Sequence, residues 1–422
     1  MKQNRISFNK TALLIALAGA LSTQTVQAAN WLMLQGTEAD HQAPRAHLWG
    51  FVQADYQHVS DTKHPVNGKK LAFNQLAPDL TSSSGFGVKR ARLAVRGANL
   101  PIDKNINYFM MAEFGKNGIT TGNKGSAGQL TDASVTFNHI PGARIRAGLF
   151  KTPGSEEAFK AIPVFNYVNY TNGTDRLIIE RKIDKVTGER TDPVFAARDT
   201  GIQVFDSFKF GEWEHSYAVM LGNGNGLSMS DDNNDRDLYL YASTEKYFGE
   251  AKAGPRSKSM KFFAWSQSGK RTYGGDTFDR DRKGLGMTYF DGKYRAAAEY
   301  IKADGMIFGG AVNALTNNGF DMYADEKADA YYVDLGYRVT PKFELLARYD
   351  RLNSAKKERT AADYRVLTTK TIGAQYFLNL KTSVRLNYEF RDIDAPTNTA
   401  LNRKKVLESV ENRISAQVTM VF

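Results

Sequence analysis

The feature that most constrains this chain is an alternation of apolar and polar side chains, sustained in short runs from residue 47 to residue 422. The terminal run shows it most plainly. Ile414, Ala416, Val418, Met420 and Phe422 form one series, while Arg413, Ser415, Gln417 and Thr419 form the other. The same period sets Val384, Leu386, Tyr388 and Phe390 against Arg385, Asn387, Glu389 and Arg391. Successive side chains of a strand point to opposite faces, so a period of two means β-strands with one apolar and one polar face. No apolar run reaches the ~18 residues of a spanning helix, so any membrane role must use strands.

A soluble sandwich would alternate in the same way, and connection lengths separate the two folds. Sixteen strands can be placed, and the links between them are long and short in turn: 14 to 46 residues at one end and three to seven at the other, apart from the 13 residues 246–258. The short links carry turn residues, as in 139–142 (HIPG), 291–293 (DGK), 340–342 (TPK) and 378–381 (LNLK). Outer-membrane barrels have short periplasmic turns and longer external loops, with strands of ~9–11 residues. The bilayer core offers no water to unpaired backbone groups, so such a sheet has to close on itself. A β-propeller would need a blade-length repeat, which the sequence lacks. The expected fold is therefore all-β, a 16-stranded antiparallel transmembrane β-barrel with its termini on the periplasmic side.

At the start, Lys2, Arg5 and Lys10 flank the apolar stretch 12–21 (ALLIALAGAL), and Val26-Gln27-Ala28 offers small residues for cleavage. Ten residues at ~1.5 Å each cannot cross ~30 Å of hydrocarbon. The expected organisation is a signal peptide at 1–28, an N-terminal periplasmic segment at 29–46 and a barrel at 47–422, in the outer membrane of a Gram-negative bacterium. Loss of three basic residues with the leader lowers the formal charge from +11 to +8. The longest link, the 46 residues 152–197, is the expected constriction loop.

The absence of cysteine excludes disulfides, thiolate metal sites and cysteine nucleophiles. No G-x-S-x-G, H-E-x-x-H or G-x-x-x-x-G-K occurs. His41, His47, His58 and His64 match no zinc spacing, and the acidic run 231–235 (DDNND) lacks the spacing and terminal glutamate of an EF-hand. The expectation is a non-enzyme with no metal or cofactor. Basic charge on an exported barrel is likewise not a signature of nucleic-acid binding.

With apolar residues toward lipid, the opposite parity turns Arg90, Arg92, Arg96, Arg144, Arg146, Arg385, Arg391 and Arg413 inward, on the second, fifth, fifteenth and sixteenth strands. Closure joins three of those strands into one basic wall. A guanidinium suits phosphate or carboxylate because its planar fork binds two oxygens and stays charged. Against it stand inward Asp55, Glu113, Asp132, Asp199, Glu299, Asp334, Glu344, Asp350 and Glu389. The loop adds Lys160, Arg176, Arg181, Lys182, Lys185 and Arg190 against seven acids. Charge is segregated more than excessive, which gives a transverse field and a moderate preference for small anions. A general non-selective porin is the alternative, and an adhesin working through external loops a more distant one.

Segments 86–97 (FGVKRARLAVRG), 130–137 (LTDASVTF), 147–153 (AGLFKTP), 198–201 (RDTG), 221–226 (LGNGNG), the Asn/Asp-rich 231–237, 331–337 (YYVDLGY), 347–350 (ARYD) and 386–390 (LNYEF) follow one another along the chain. Taken in order they resemble the phosphate-selective porin O and P family of Gram-negative outer membranes. The resemblance implies a homotrimer of 16-stranded barrels in outer-membrane lipid, each with its third external loop folded into the pore, passing small anionic solutes such as phosphate.

Overall fold

The computed structural model describes residues 32, 45–60, 68, 84–117, 128–180, 195–248, 257–273, 275–311, 320–356, 364–399, 404–405, 408 and 410–422. The expected signal peptide 1–28, most of 29–46, His41, His64, Arg181, Lys182, Lys185 and Arg190 lie outside the described residues.

The strands, in chain order, are β1 (His47–Val59), β2 (Ser84–Gly97), β3 (Ile106–Glu113), β4 (Gln129–Phe137), β5 (Arg144–Lys151), β6 (Arg198–Phe210), β7 (Trp213–Gly222), β8 (Asp237–Tyr247) and β9 (Ser259–Tyr273). They continue with β10 (Asp276–Phe290), β11 (Tyr294–Asp304), β12 (Ile307–Ala311), β13 (Phe320–Tyr323), β14 (Lys327–Thr340), β15 (Phe343–Ser354), β16 (Arg365–Phe377), β17 (Thr382–Asp394) and β18 (Arg413–Val421). All but β12 and β13 form one closed antiparallel barrel, in which β1 pairs with β2 on one side and β18 on the other. The described residues thus carry the expected 16 barrel strands, and β12 and β13 form a separate two-stranded hairpin.

The seam is completed at the last residue. Phe422 donates its N–H to the Gly50 carbonyl (3.0 Å) and accepts the Gly50 N–H (3.2 Å). Its ring covers Gly50, where a Cβ would lie 2.6 Å from the ring and 2.5 Å from the Arg92 carbonyl, so only glycine fits beneath it.

Burial is inverted relative to a soluble protein. On β17, Leu386 and Phe390 are 51% and 45% exposed, while Arg385 and Glu389 on the opposite face are 1% and 2% exposed. The same inversion recurs around the barrel, from Leu285 and Leu335 to Ile372 and Met420 outside, and from Gln53 and Arg92 to Arg348 and Gln417 inside. A continuous apolar exterior around a polar interior is the surface of a membrane-spanning barrel. At the short-turn end, Asp291 Oδ1 accepts the N–H groups of Lys293 and Tyr294 (2.8 and 2.7 Å), with Gly292 at φ +102° between them. The Asn379 side chain likewise accepts the Lys381 N–H (2.8 Å). These side-chain acceptors are the reason such short links hold.

The sixteen-strand reading of the sequence leaves 268–281 and 303–328 as two of the long external links, and both turn out differently. Residues 268–273 and 276–281 are strand: β9 and β10 pair without interruption from Tyr273 opposite Asp276 to Ser259 opposite Phe290. Lys270 there lies opposite Asp279, and Ser268 donates to Asp281, so charge is matched across the ladder. The link 303–328 contains the β12 and β13 hairpin.

Candidate functional site

The connection between β5 and β6 runs from 152 to 197, the bounds the sequence suggests, and its described part is 152–180 and 195–197. It begins with a short helix, α1 (Glu156–Phe159). The wall residue Glu299 on β11 caps this helix by accepting from Ser155 Oγ (3.1 Å) and the Glu156 N–H (3.3 Å), while Trp265 and Tyr332 donate to the same carboxylate. Lys151 closes the other end by donating to the carbonyls of Ala158, Phe159 and Lys160 (2.9, 3.1 and 2.9 Å). Lys261 on β9 pairs with Glu156 at 2.6 Å. Burial works against the Glu156 carboxylate, but Lys261 and Lys160 outweigh it and hold its carboxyl below the ordinary value.

The loop then crosses to the other side of the barrel. Pro163 O accepts from Arg385 (2.9 Å), Val168 N–H donates to Asn387 (2.9 Å), and Asn169 bonds Glu389 and Ser415 (both 3.2 Å). Tyr167 donates to Asp334, and Asn172 donates to Asp350 through its backbone (2.9 Å) and its amide (2.6 Å). Arg348 donates to Glu157 (3.1 Å). The described part of the crossing ends in a π-helical turn, Thr174–Ile179, whose Leu177, Ile178 and Ile179 pack with Phe263, Trp265, Ile301 and Leu352 of the wall. Leu32 is buried in the same cluster. Glu180, at φ +41°, is gripped by Arg280 (2.8 Å) and Arg282 (2.6 Å) of β10. Burial would raise its carboxyl, yet Arg280, Arg282 and Arg271 together hold it below the usual value.

The arginines expected in the lumen are all on inward positions, in two groups. Closure brings Arg90, Arg92 and Arg96 of β2 near Arg385 and Arg391 of β17 and Arg413 of β18, with only β1 between β2 and β18. Arg90 donates to neutral Gln53 (2.9 Å), with its guanidinium 5.8 Å from the Tyr170 ring centre. Arg92 pairs with Glu113 at 2.7 Å. Arg385 donates to Gln417, Thr419 and the loop, Arg391 donates to the Glu411 carbonyl (2.6 Å), and Arg413 pairs with Glu389. Arg96 is half-buried nearest the short-turn end. The second group, on β5, stands apart: Arg144 pairs with Asp206 (3.6 Å), and Arg146 donates to Thr136 (3.2 Å) and stacks 4.5 Å over Phe205. Of the loop cations, Lys160 is half-buried and Arg176 is 1% exposed within the π-helical turn.

Parity reasoning missed several inward cations, Arg282 and Arg295 among them. Lys89 is inward because β2 has a register irregularity opposite Gln53 and Ala54, so that Lys89 and Arg90 are both buried. Lys89 reaches the Val168 carbonyl (3.2 Å) and the Asn169 side chain (2.6 Å). Arg271 and Arg280 were hidden by reading 268–281 as a loop. Arg348 follows the alternation of β15 and was findable from Glu344, Leu346 and Asp350.

Lys89, Arg90, Arg92, Arg385 and Arg413 lie on one flank of the loop, with Glu113 and Glu389 among them. On the other flank Glu156, Glu157 and Asp334 are each paired with a cation, Lys261, Arg348 and Arg295 in turn. This architecture, a closed 16-stranded barrel with a polar bore crossed by a long third loop, is that of a porin-type outer-membrane barrel. Among solved structures it is similar to an anion-selective porin from Comamonas acidovorans (TM-score 0.55, 15% identity, covering 89% of this chain and 99% of that one). Salmonella typhi OmpF gives 0.56 at 13% identity, with 89% and 97% covered. The outer-membrane channel DcaP of Acinetobacter baumannii gives 0.52 at 14%, with 92% and 100% covered. At these identities the likeness is one of fold. No protein-family model and no curated protein matches the chain.

Proposed function

We propose that this chain is an outer-membrane porin of a Gram-negative bacterium, a passive diffusion channel with a moderate preference for small anions such as phosphate, assembled as a homotrimer. The observation that carries the reading is the arginine wall of Arg90, Arg92, Arg385 and Arg413 on one flank of the loop, while on the opposite flank Lys261, Arg295 and Arg348 are each paired with a carboxylate. Buried cations and buried carboxylates are nearly equal in number, so the preference comes from position. Field lines are focused by the low-dielectric wall, and an anion passing beside the guanidinium groups meets charge that its hydration shell does not cancel. In this reading 152–197 is the constriction, and the outward apolar belt contacts outer-membrane lipid. A second reading, a general porin, is favoured by the direct pairing of Arg92 with Glu113 and of Arg413 with Glu389, which neutralises half of the wall.

The test is the zero-current potential across a low-salt KCl gradient for wild type and for Arg90→Ala with Arg92→Ala. The anion reading expects chloride to be preferred and the double variant to lose most of that preference. No preference in either protein would support the general porin.

A further inference from the structure

Away from the arginine wall, a cavity of about 90 Å3 lies between the loop and the inner surface of β8 to β11, β14 and β15. Its lining includes Lys160 and Asn166 from the loop, Lys261, Arg295, Arg338 and Glu344. The volume far exceeds the ~10–15 Å3 that one water requires, and holds an ion the size of phosphate or acetate.

The bonding capacity of this lining is uneven. Every carboxylate on it is already engaged: Glu156 with Lys261 (2.6 Å), Glu245 with Ser259 (2.6 Å), and Glu344 with Arg295 (2.9 Å) and Arg338 (3.6 Å). Its donors are not. Arg295 uses Nε on Glu344 and Nη1 on Asp334, and the Asn166 amide, with its oxygen turned to Arg295, accepts from the same two nitrogens (3.3 and 3.1 Å). Arg295 Nη2 and Arg338 Nε are buried with no acceptor among the described residues. Lys160 Nζ also has no hydrogen-bond partner among them. Burial pushes the Lys160 ammonium below its ordinary value; Glu156 acts against that shift, and Arg295 and Lys261 add to it. A buried donor without an acceptor costs ~1–3 kcal/mol, so these two, with the half-buried Lys160 ammonium beside them, call for a group that only accepts.

We propose that this cavity is a binding station for the oxyanion group of a small solute, phosphate or carboxylate, held by Lys160, Arg295 and Arg338. The station rests on the reading of the chain as a channel, and is independent of the arginine wall, since β11 and β17 are separated by β14, β15 and β16 in the barrel. It gives a permeating anion a second stop on the flank where cations are otherwise paired with carboxylates. Because two of its donors belong to the wall and one to the loop, an occupied station also ties the loop to the wall.

Inorganic phosphate and sodium acetate serve as probes, titrated against the KCl current of the full-length protein in planar bilayers. Wild type is expected to show saturable block by at least one of them, and Arg338→Gln and Lys160→Gln to raise the half-blocking concentration about 10-fold, equivalent to ~1.4 kcal/mol. Lys160→Gln removes no hydrogen bond among the described residues, so it tests the station even where Arg338→Gln assembles poorly. Block by neither probe, or block unchanged in Lys160→Gln, overturns the station and leaves a cavity filled by water. A channel that blocks as described but has no chloride preference would keep the station and remove the arginine-wall reading; chloride preference without block would do the reverse.

Discussion

Glu180 anchors the far end of the described loop, because one carboxylate answers two arginines that are both buried on β10. Removing one partner of a buried pair costs ~3–5 kcal/mol, since the remaining charge stays desolvated. Glu180→Gln is therefore expected to loosen this stretch of the loop, raising open-channel noise and unitary conductance while the barrel still assembles; single-channel traces identical to wild type would contradict the grip. The pH dependence has a definite direction. The folded Glu180 carboxyl sits below its ordinary value of ~4.3, so its stabilising contribution is complete above that pH and is lost as pH falls through the depressed folded value. Wild-type conductance should show a rise as pH falls below about 4.3, and that rise should be absent in Glu180→Gln.

At the scale of elements, the loop behaves as a strap fixed at both flanks, with α1 pinned by Glu299 and Lys261 and the crossing stretch pinned by Asn387, Asp350 and Asp334. Deleting residues 161–172 is expected to widen the bore and to increase unitary conductance severalfold in bilayer recordings. Unchanged conductance would mean that the strap does not limit flow. Most of this element-level plan is legible in the sequence. Alternation fixes β14 to β18 because lipid on one side and a polar bore on the other leave each side chain one acceptable face. The loop bounds follow from where alternation stops at Lys151 and resumes at Arg198. What is illegible has local causes. The irregularity at Lys89 breaks the period in the middle of a continuous strand, and the nearby Gly87 alone does not mark its position. The β9 and β10 extension carries charge on both faces at its far end, so it reads as loop although cross-strand pairing makes it sheet. The cavity beside Lys160 depends on which donors stay unspent after folding, a property no spacing encodes.

For the whole molecule, closure and ion choice are linked, because the basic wall exists only once β18 meets β1. Deleting Phe422 removes the final Gly50 hydrogen bonds and the ring that covers it. The yield of assembled, heat-resistant protein in the membrane fraction is expected to fall severalfold, and a normal yield would contradict the role of this residue in the seam. The closed wall then acts at a distance only where salt allows. At 1 M salt the Debye length is ~3 Å and the guanidinium field is screened within one ion diameter, whereas at 0.01 M it reaches ~30 Å, across the bore. The most direct measurement is the zero-current potential of the wild-type channel under a tenfold KCl gradient, first near 0.01 M and then near 1 M. The account predicts a potential of the sign that marks chloride as the more permeant ion at low salt, shrinking toward zero at high salt; a potential marking potassium as the more permeant ion at low salt would contradict it.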